Sequence, residues 1–157
     1  MSASSHTLGV DFGTSNSACG FAVDGQSRLI NVEQSAQTLP TAVFFDFDGR
    51  RIVYGQPAQA ALIDGDEGRY MRALKSLLGT SLMRESRMLL GKRMDFIAIV
   101  GTFLAEIKQR AEAQTGLHFD RALSGRPVLF HSANEARNAQ AEVDLRDCYL
   151  AAGFSDV

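Results

Sequence analysis

The segment LGVDFGTSNSACGFAV, residues 8–23, is the feature that most constrains the fold. Two short apolar runs flank a glycine turn, a pattern that predicts an antiparallel β-hairpin. The first run ends in the carboxylate of Asp11, and the small polar residues TSNS follow the turn. These are also ordinary turn residues. The segment alone therefore leaves open whether the tip of the hairpin binds a ligand or only connects two strands.

The first third of the chain predicts further antiparallel strands. Residues 17–23 and 28–32 flank an Asp-Gly pair, which is a strong hairpin signal. Residues 42–47 and 51–54 flank a second Asp-Gly pair and predict another hairpin. Together these runs predict an antiparallel meander at the start of the fold.

The middle of the chain changes to helical spacing. Residues 56–65 predict a short helix with Pro57 in its first turn. Residues 69–79 predict a second helix that ends at Gly79. The apolar face of this second helix would comprise Met71, Leu74, Leu77 and Leu78. Residues 80–92 give an ambiguous pattern.

The last part of the chain alternates between helix and strand. Residues 94–113 predict a long amphipathic helix with one apolar face, which stops at Gly116. Residues 122–130 predict a strand, although the proline within it indicates an edge or special position. Residues 134–152 predict a final helix, and the Gly-Phe pair that follows is typical of a Schellman cap.

The composition argues against several classes of function. The formal net charge of -2 offers no basic surface for nucleic acid or for an acidic membrane. The N-terminus lacks the features of a secretion signal, and no apolar run approaches the roughly 20 residues of a membrane helix. Cys19 and Cys148 lack metal-ligand spacing, which favours free buried thiols in a reducing compartment. We expect a soluble, cytoplasmic protein that binds neither nucleic acid nor membrane.

The tip of the hairpin has the chemistry of a metal–phosphate site. Gly13 permits a positive φ and a close approach of the backbone to a ligand. Successive backbone N–H groups in such a turn form an anion-binding nest. Asp11 would repel a bare phosphate, but a Mg²⁺ ion between them would attract both negative groups. The tip is not a P-loop, because the glycine-rich lysine signature is absent and a strand follows the turn.

Several motifs, in order along the chain, resemble one family. LGVDFGTSNSACGFAV resembles the first phosphate motif of the actin-like ATPases, and within them of the DnaK-like heat-shock chaperones. TLPTAVFFDFDGRRIVYGQPAQ resembles the chaperone segment in which a threonine-proline pair precedes a hairpin and a helix. ALKSLLG resembles their lysine-bearing motif, and SGRPVLF their proline-bearing strand. GRP and LRDCYLAAGFSDV are most similar to the divergent YegD-type homologues.

The resemblance implies a role for each residue at the tip. Asp11 matches the acid that holds the hydration shell of Mg²⁺. Gly13, Thr14 and Ser15 match the turn that contacts the nucleotide phosphates. Ser15 stands where these chaperones more often have threonine, so the hydroxyl is kept. Asn16 lies at a position where the residue type varies in the family, and we include it among the predicted nucleotide-binding residues.

The resemblance also implies a catalytic lysine. Lys75 lies four residues before Gly79 and matches the lysine that faces the γ-phosphate and positions the attacking water. Phosphoryl transfer requires charge stabilisation and positioning more than covalent catalysis, which suits a lysine. The spacing of the motif favours this role over a solvated lysine beside Arg72.

The implied fold is α/β, of the ribonuclease-H-like, actin-like kind, with a mixed sheet, flanking helices and a small α+β insertion. Residues 1–33 and 93–157 would form the core subdomain of the first ATPase lobe, incomplete at its C-terminus. Residues 34–92 would form the inserted subdomain that carries Lys75. The second lobe, with its own phosphate loop and adenosine contacts, has no counterpart in the sequence. We therefore expect a truncated part of a Mg²⁺-dependent ATPase chaperone that is not catalytically competent alone.

The same resemblance implies partners. They are ATP or ADP, the second lobe and, through the whole protein, client proteins and co-chaperones. If the last strand of the lobe is lacking, the sheet has a bare edge, and bare edges pair with other chains. We therefore expect the chain to self-associate.

Three alternatives stay open. Sugar kinases of the same superfamily open with a similar hairpin, but they lack the ALKSLLG element in an insertion of this type. A ribonuclease-H-like nuclease would need further carboxylates that converge on Asp11 for two-metal chemistry, and the helices offer no clear partner. A non-hydrolysing interaction module would keep the fold without turnover, and the retained Asp11, Thr14 and Lys75 argue against it.

Overall fold

The computed structural model describes residues 5–127, 129–131 and 134–157. Within these residues the chain forms a mixed α/β fold with flanking helices, as predicted. The strands are β1 (His6–Phe12), β2 (Asn16–Val23), β3 (Gln26–Leu29), β4 (Thr38–Pro40), β5 (Ala42–Asp46), β6 (Arg51–Tyr54), β7 (Gly68–Arg72), β8 (Arg87–Leu89), β9 (Lys92–Met94) and β10 (Phe119–Ser124). The helices are α1 (Gln56–Asp64), α2 (Phe96–Thr115) and α3 (Glu135–Ala151), with 3₁₀ helices at Leu74–Leu77 and Ser81–Arg84.

The predicted hairpin lies in the main sheet. The order of this sheet is β10-β1-β2-β3, and β4 also pairs with β2. β10 runs parallel to β1, and the other pairs are antiparallel. Alternation along β1 buries Leu8, Val10 and Phe12 on one face. Phe12 packs against Phe103 of α2, with ring centroids 6.0 Å apart, so this face carries the core.

Both long helices form where the sequence predicted them. α2 begins after Asp95, whose side chain accepts a hydrogen bond from the Ala98 N–H, and it ends at Gly116. α3 ends in the predicted Schellman cap. The Phe154 N–H donates to the Tyr149 carbonyl at 3.2 Å, and the rings of these two residues pack edge to face. No helix of the described residues is long and apolar enough to span a membrane.

Residues 69–79 do not form the predicted helix. β7 pairs with β5 in antiparallel register, and only a short 3₁₀ helix follows. Ala73, with a φ of 54°, makes the break between them. Met71 and Leu74 are nevertheless buried, because a strand followed by a tight turn directs them into the core that a helix would have reached. Pairing with a distant strand has overridden the local spacing.

Two predicted strands have different limits in the structure. β10 covers Phe119–Ser124 rather than residues 122–130, so Pro127 follows the strand, and residue 128 of that prediction lies outside the described residues. The strand predicted at 28–32 forms earlier, at Gln26–Leu29, because the Asp-Gly pair makes a tight two-residue turn. Both residues of that turn have positive φ, as this type of hairpin requires.

The outer edge of β10 is paired over part of its length. The Ser155 N–H donates to the Asp120 carbonyl at 2.7 Å, and the Ala122 N–H donates to the Asp156 carbonyl at 2.9 Å. The final residues thus lie parallel to β10. The edge is not bare between Asp120 and Ala122, and self-association of the chain stays a prediction.

The second sheet has the order β6-β5-β7 and lies within residues 42–72. With α1 it encloses a small core of its own, made of Ala42, Phe44, Ala58 and Ala61. Val43 and Phe45, on the other face of β5, join the main core instead. The two sheets therefore share one hydrophobic interior. The division of the chain into residues 34–92 and the remainder stays a prediction.

Gly79 should tolerate alanine less well than Gly116 does. Both have positive φ, and a Cβ at Gly116 would meet nothing within 4 Å, whereas a Cβ at Gly79 would lie 2.3 Å from the Arg137 carbonyl oxygen. We expect Gly116→Ala to lower the free energy of unfolding by about 1 kcal/mol, from backbone strain alone. We expect Gly79→Ala to lower it by about 3 kcal/mol, because overpacking adds to that strain. Urea denaturation measures both, and equal losses would contradict the packing of Gly79 on α3.

Candidate functional site

The candidate site is the tip of the β1–β2 hairpin. The last residue pair of β1 and β2 is Phe12 with Ser17, so the turn lies between these two residues. Asp11 and the polar residues of the turn, Thr14, Ser15 and Asn16, are exposed to solvent. The hairpin alone therefore brings these predicted site residues together.

Gly13 is needed at the tip because of a close backbone contact. A Cβ at this position would lie 2.0 Å from the carbonyl oxygen of Asn16. The predicted positive φ is wrong, since Gly13 is not among the residues in the left-handed region. Any side chain here would have to open the turn, because the atom that it meets belongs to the backbone.

Thr41 holds the tip in place. Its N–H donates to the Ser15 carbonyl at 2.9 Å. Its hydroxyl lies 2.7 Å from the Ser17 hydroxyl, and both side chains are almost fully buried. β4 pairs with Asn16 and Ser17 directly beside this contact. The sequence analysis did not identify Thr41, and its only signal was its place between two apolar runs.

The turn keeps unused hydrogen-bonding groups. The side chains of Thr14 and Ser15 make no hydrogen bond with a described residue, and neither do their backbone N–H groups. The Ser15 carbonyl, in contrast, is engaged by Thr41. The tip is thus fixed through an acceptor and leaves its donors free, which is the arrangement that an anion requires.

Ser124, which lines a surface cavity with Asp11, is hydrogen-bonded to the buried Tyr149. The Ser124 hydroxyl donates to the Tyr149 hydroxyl at 2.9 Å. Burial is the main cause that raises the pKa of Tyr149, and the hydrogen bond from Ser124 opposes the rise. Tyr149 therefore stays neutral at physiological pH. Asp11 itself remains exposed and lines a surface cavity with Ser124.

The carboxylates of the described residues suit one kind of metal site. The described residues contain no group of three or more His, Cys, Asp or Glu side chains that could hold an ion directly. A Mg²⁺ ion that keeps most of its waters needs only one or two carboxylates and the phosphates of its ligand, and Asp11 at the tip fits that need. The two-metal chemistry of a nuclease requires several converging carboxylates, which this arrangement does not offer.

Lys75 lies near the same region but on another element. It is half-buried in the 3₁₀ helix Leu74–Leu77, and its carbonyl accepts a hydrogen bond from the Leu78 N–H at 3.2 Å. Its ammonium group makes no ion pair or hydrogen bond with a described residue. Ala73, two residues earlier, lines a cavity together with Thr14 and Ser15. The backbone that leads to Lys75 therefore passes beside the tip, and the catalytic role of this lysine stays a prediction.

Asp144 anchors the segment that carries Lys75. This fully buried carboxylate accepts a hydrogen bond from the Gly79 N–H at 2.8 Å and pairs with Arg84 at 2.7 Å. The Gln140 amide donates to it at 2.8 Å. The sequence analysis missed Asp144, although an acid between the apolar positions of α3 was a usable signal. These bonds fix the end of the ALKSLLG segment against α3.

Comparisons with known proteins identify the family to which this chain belongs. The family model of the Hsp70 protein matches residues 7–88. Over 127 residues the chain is 31% identical to the chaperone protein DnaK of Methanothermobacter thermautotrophicus. The alignment covers 78% of this chain and 20% of that DnaK, so the chain spans about a fifth of this relative.

The chain belongs to the Hsp70 family. Within that family it is a DnaK-like chain that matches the N-terminal part of the fold. The resemblance and the α/β fold class predicted from the sequence are thereby confirmed. The family also favours a chaperone over a sugar kinase.

Asp144→Ala should destabilise the protein more than Asp147→Ala. Both acids lie on α3 and contact Arg84, but Asp144 is buried and Asp147 is 43% exposed. Loss of Asp144 leaves the Gly79 N–H without its acceptor, and we expect the free energy of unfolding to fall by about 2–3 kcal/mol. For Asp147 we expect a change within about 0.5 kcal/mol. Similar losses in urea denaturation would show that Asp144 does not anchor the segment.

Proposed function

We propose that this chain forms the phosphate-binding part of the nucleotide cleft of an Hsp70-type ATPase chaperone. The observation that carries the proposal is the tip, which is held by Thr41 while the donors of Thr14 and Ser15 remain free. A ligand would meet a site that needs little reorganisation, so little of the binding energy would be lost in ordering it.

Each tip residue has a distinct part in this proposal. Thr14 and Ser15 would donate hydrogen bonds to the β- and γ-phosphate oxygens of ATP, and Gly13 would let the backbone approach them. Asp11 would accept hydrogen bonds from the waters around Mg²⁺. When bound, the metal would neutralise part of the phosphate charge. Asn16, exposed at the start of β2, would border the same phosphates.

Lys75 would supply the charge for hydrolysis. Its ammonium group would face the γ-phosphate and orient the attacking water, which stabilises the charge that develops in the transition state. Asp144 would keep the lysine segment in place through Gly79. Donors that are already fixed stabilise the transition state without having to reorganise during the reaction. A rigid segment around Lys75 would therefore favour catalysis.

The rest of the activity would need residues outside those described. Because the chain spans about a fifth of the DnaK relative, the adenosine contacts and a second phosphate loop would come from another lobe. We propose that the chain alone binds nucleotide weakly and does not turn it over. Cytoplasmic location and interactions with clients and co-chaperones belong to the same proposal and would concern the whole protein.

Titration of this chain with Mg-ADP and Mg-ATP should move a small set of amide resonances. We expect shifts confined to residues 11–17, with saturation in the millimolar range or above, because one side of the cleft supplies the contacts. NMR detects such weak binding, and titration with Mg²⁺ alone is the control. Absence of any shift from either nucleotide would contradict a preformed phosphate site.

Lys75→Ala should separate binding from hydrolysis in a protein that carries both lobes. We expect the affinity for ATP to change little and the rate of hydrolysis to fall by roughly 10²–10³, the usual cost of losing one transition-state donor. Lys92→Ala, which removes an exposed lysine from β9, is the matched control. An unchanged rate after loss of Lys75 would refute its catalytic assignment, whereas no measurable hydrolysis by the unmodified protein would favour a non-hydrolysing interaction module.

A further inference from the structure

A cavity of about 400 Å³ lies between the tip and the second sheet. The tip contributes Thr14 and Ser15 to its lining, and the second sheet and α1 contribute Tyr70, Arg72 and Gln59. Hydroxyl, amide and guanidinium donors therefore surround one space. Of the residues that line this cavity, the sequence analysis assigned phosphate contacts only to Thr14 and Ser15.

The cavity has the electrostatic character of an anion site. Among the described residues that line it, none is Asp or Glu, and Arg72 is the charged side chain. The Arg72 side chain is exposed, and its guanidinium makes no ion pair or hydrogen bond with a described residue. Arg51 of β6, in the same sheet, is paired with Asp46. Arg69 and Arg72 of β7 form no ion pair within the described residues, and of these two only Arg72 lines the cavity. A free guanidinium presents a planar set of donors that matches phosphate oxygens.

The position of Arg72 relative to the tip is fixed by backbone pairing. Arg72 lies opposite Ala42 in the register of β5 and β7. Ala42 follows Thr41, whose N–H binds the Ser15 carbonyl. β7 is therefore linked to the tip through its pairing with Ala42 and the hydrogen bond of Thr41, and not through a flexible loop. Tyr70 and Arg72 lie on the same face of β7, because side chains alternate along a strand.

We propose that Arg72 extends the phosphate site and selects ligands with three linked phosphates over ligands with two. This inference rests on the proposed function of the tip. Thr14 and Ser15 hold the β-phosphate and the near side of the γ-phosphate, and the guanidinium of Arg72 binds the remaining oxygens of the γ-phosphate across the cavity. Arg72 is thus a specificity residue for the triphosphate, distinct from Lys75, which acts on the attacking water.

The experiment compares inorganic tripolyphosphate with pyrophosphate, each with Mg²⁺, by NMR titration of this chain. The variants are Arg72→Gln and, as a matched control, Arg69→Gln. Arg69 is an exposed arginine of the same strand that does not line the cavity. Arg72→Lys keeps the charge without the planar donors. Because both arginines are exposed, we expect all variants to fold, and their amide spectra verify it.

We expect Arg72→Gln to weaken tripolyphosphate binding roughly tenfold, the usual effect of losing hydrogen bonds to a charged group. Pyrophosphate binding should change little, Arg69→Gln should resemble the unmodified chain, and Arg72→Lys should recover part of the loss. Equal weakening by both glutamine variants would overturn the inference, because it would reflect net charge alone. Shifts at the tip that do not depend on Arg72 would overturn it and leave the proposed function standing. Absence of tip shifts with either probe would refute both.

Discussion

The bond between Thr41 and Ser15 is the constraint on which the rest of the site depends. It joins a turn of the main sheet to the start of the second sheet, and the buried hydroxyl pair of Thr41 and Ser17 supports it. Because this bond uses a carbonyl of the turn, the donors of the turn stay available. The same bond fixes the distance from the tip to β7. Without it, the tip and the cavity wall would be held together less firmly, and both would be less preorganised for a ligand.

Local signals predicted those parts of the fold that local physics determines. The cap of α3 depends on Gly153 and Phe154, which follow the helix directly, and the sequence was sufficient to place it. The helix expected at 69–79 failed because β7 pairs with β5, about 25 residues earlier. Apolar spacing correctly predicted that Met71 and Leu74 are buried, but burial does not determine the backbone conformation that achieves it.

The same division holds for the candidate site. The tip residues are contiguous, so a motif of a few letters could identify them. Thr41 and Asp144 act through tertiary contacts, and the bond from Gly79 to Asp144 spans 65 positions. Arg72 lines the cavity because β7 pairs with the distant β5. No local pattern encodes such a contact in one sequence. Gly13 is intermediate, because its need for a glycine was predicted but the reason is crowding by the Asn16 carbonyl rather than a left-handed φ.

That β7 is a strand rather than a helix has a consequence for how this region tolerates change in chain length. Side chains on a strand alternate, so Met71 faces the common core while its neighbours Tyr70 and Arg72 face the cavity. Insertion or deletion of a single residue within β7 would exchange the two faces, placing a cation in the hydrophobic interior and a methionine among the donors. A helix would only rotate its surface by about 100° under the same change. Variation in length should therefore accumulate in the turns on either side of this strand and not within it.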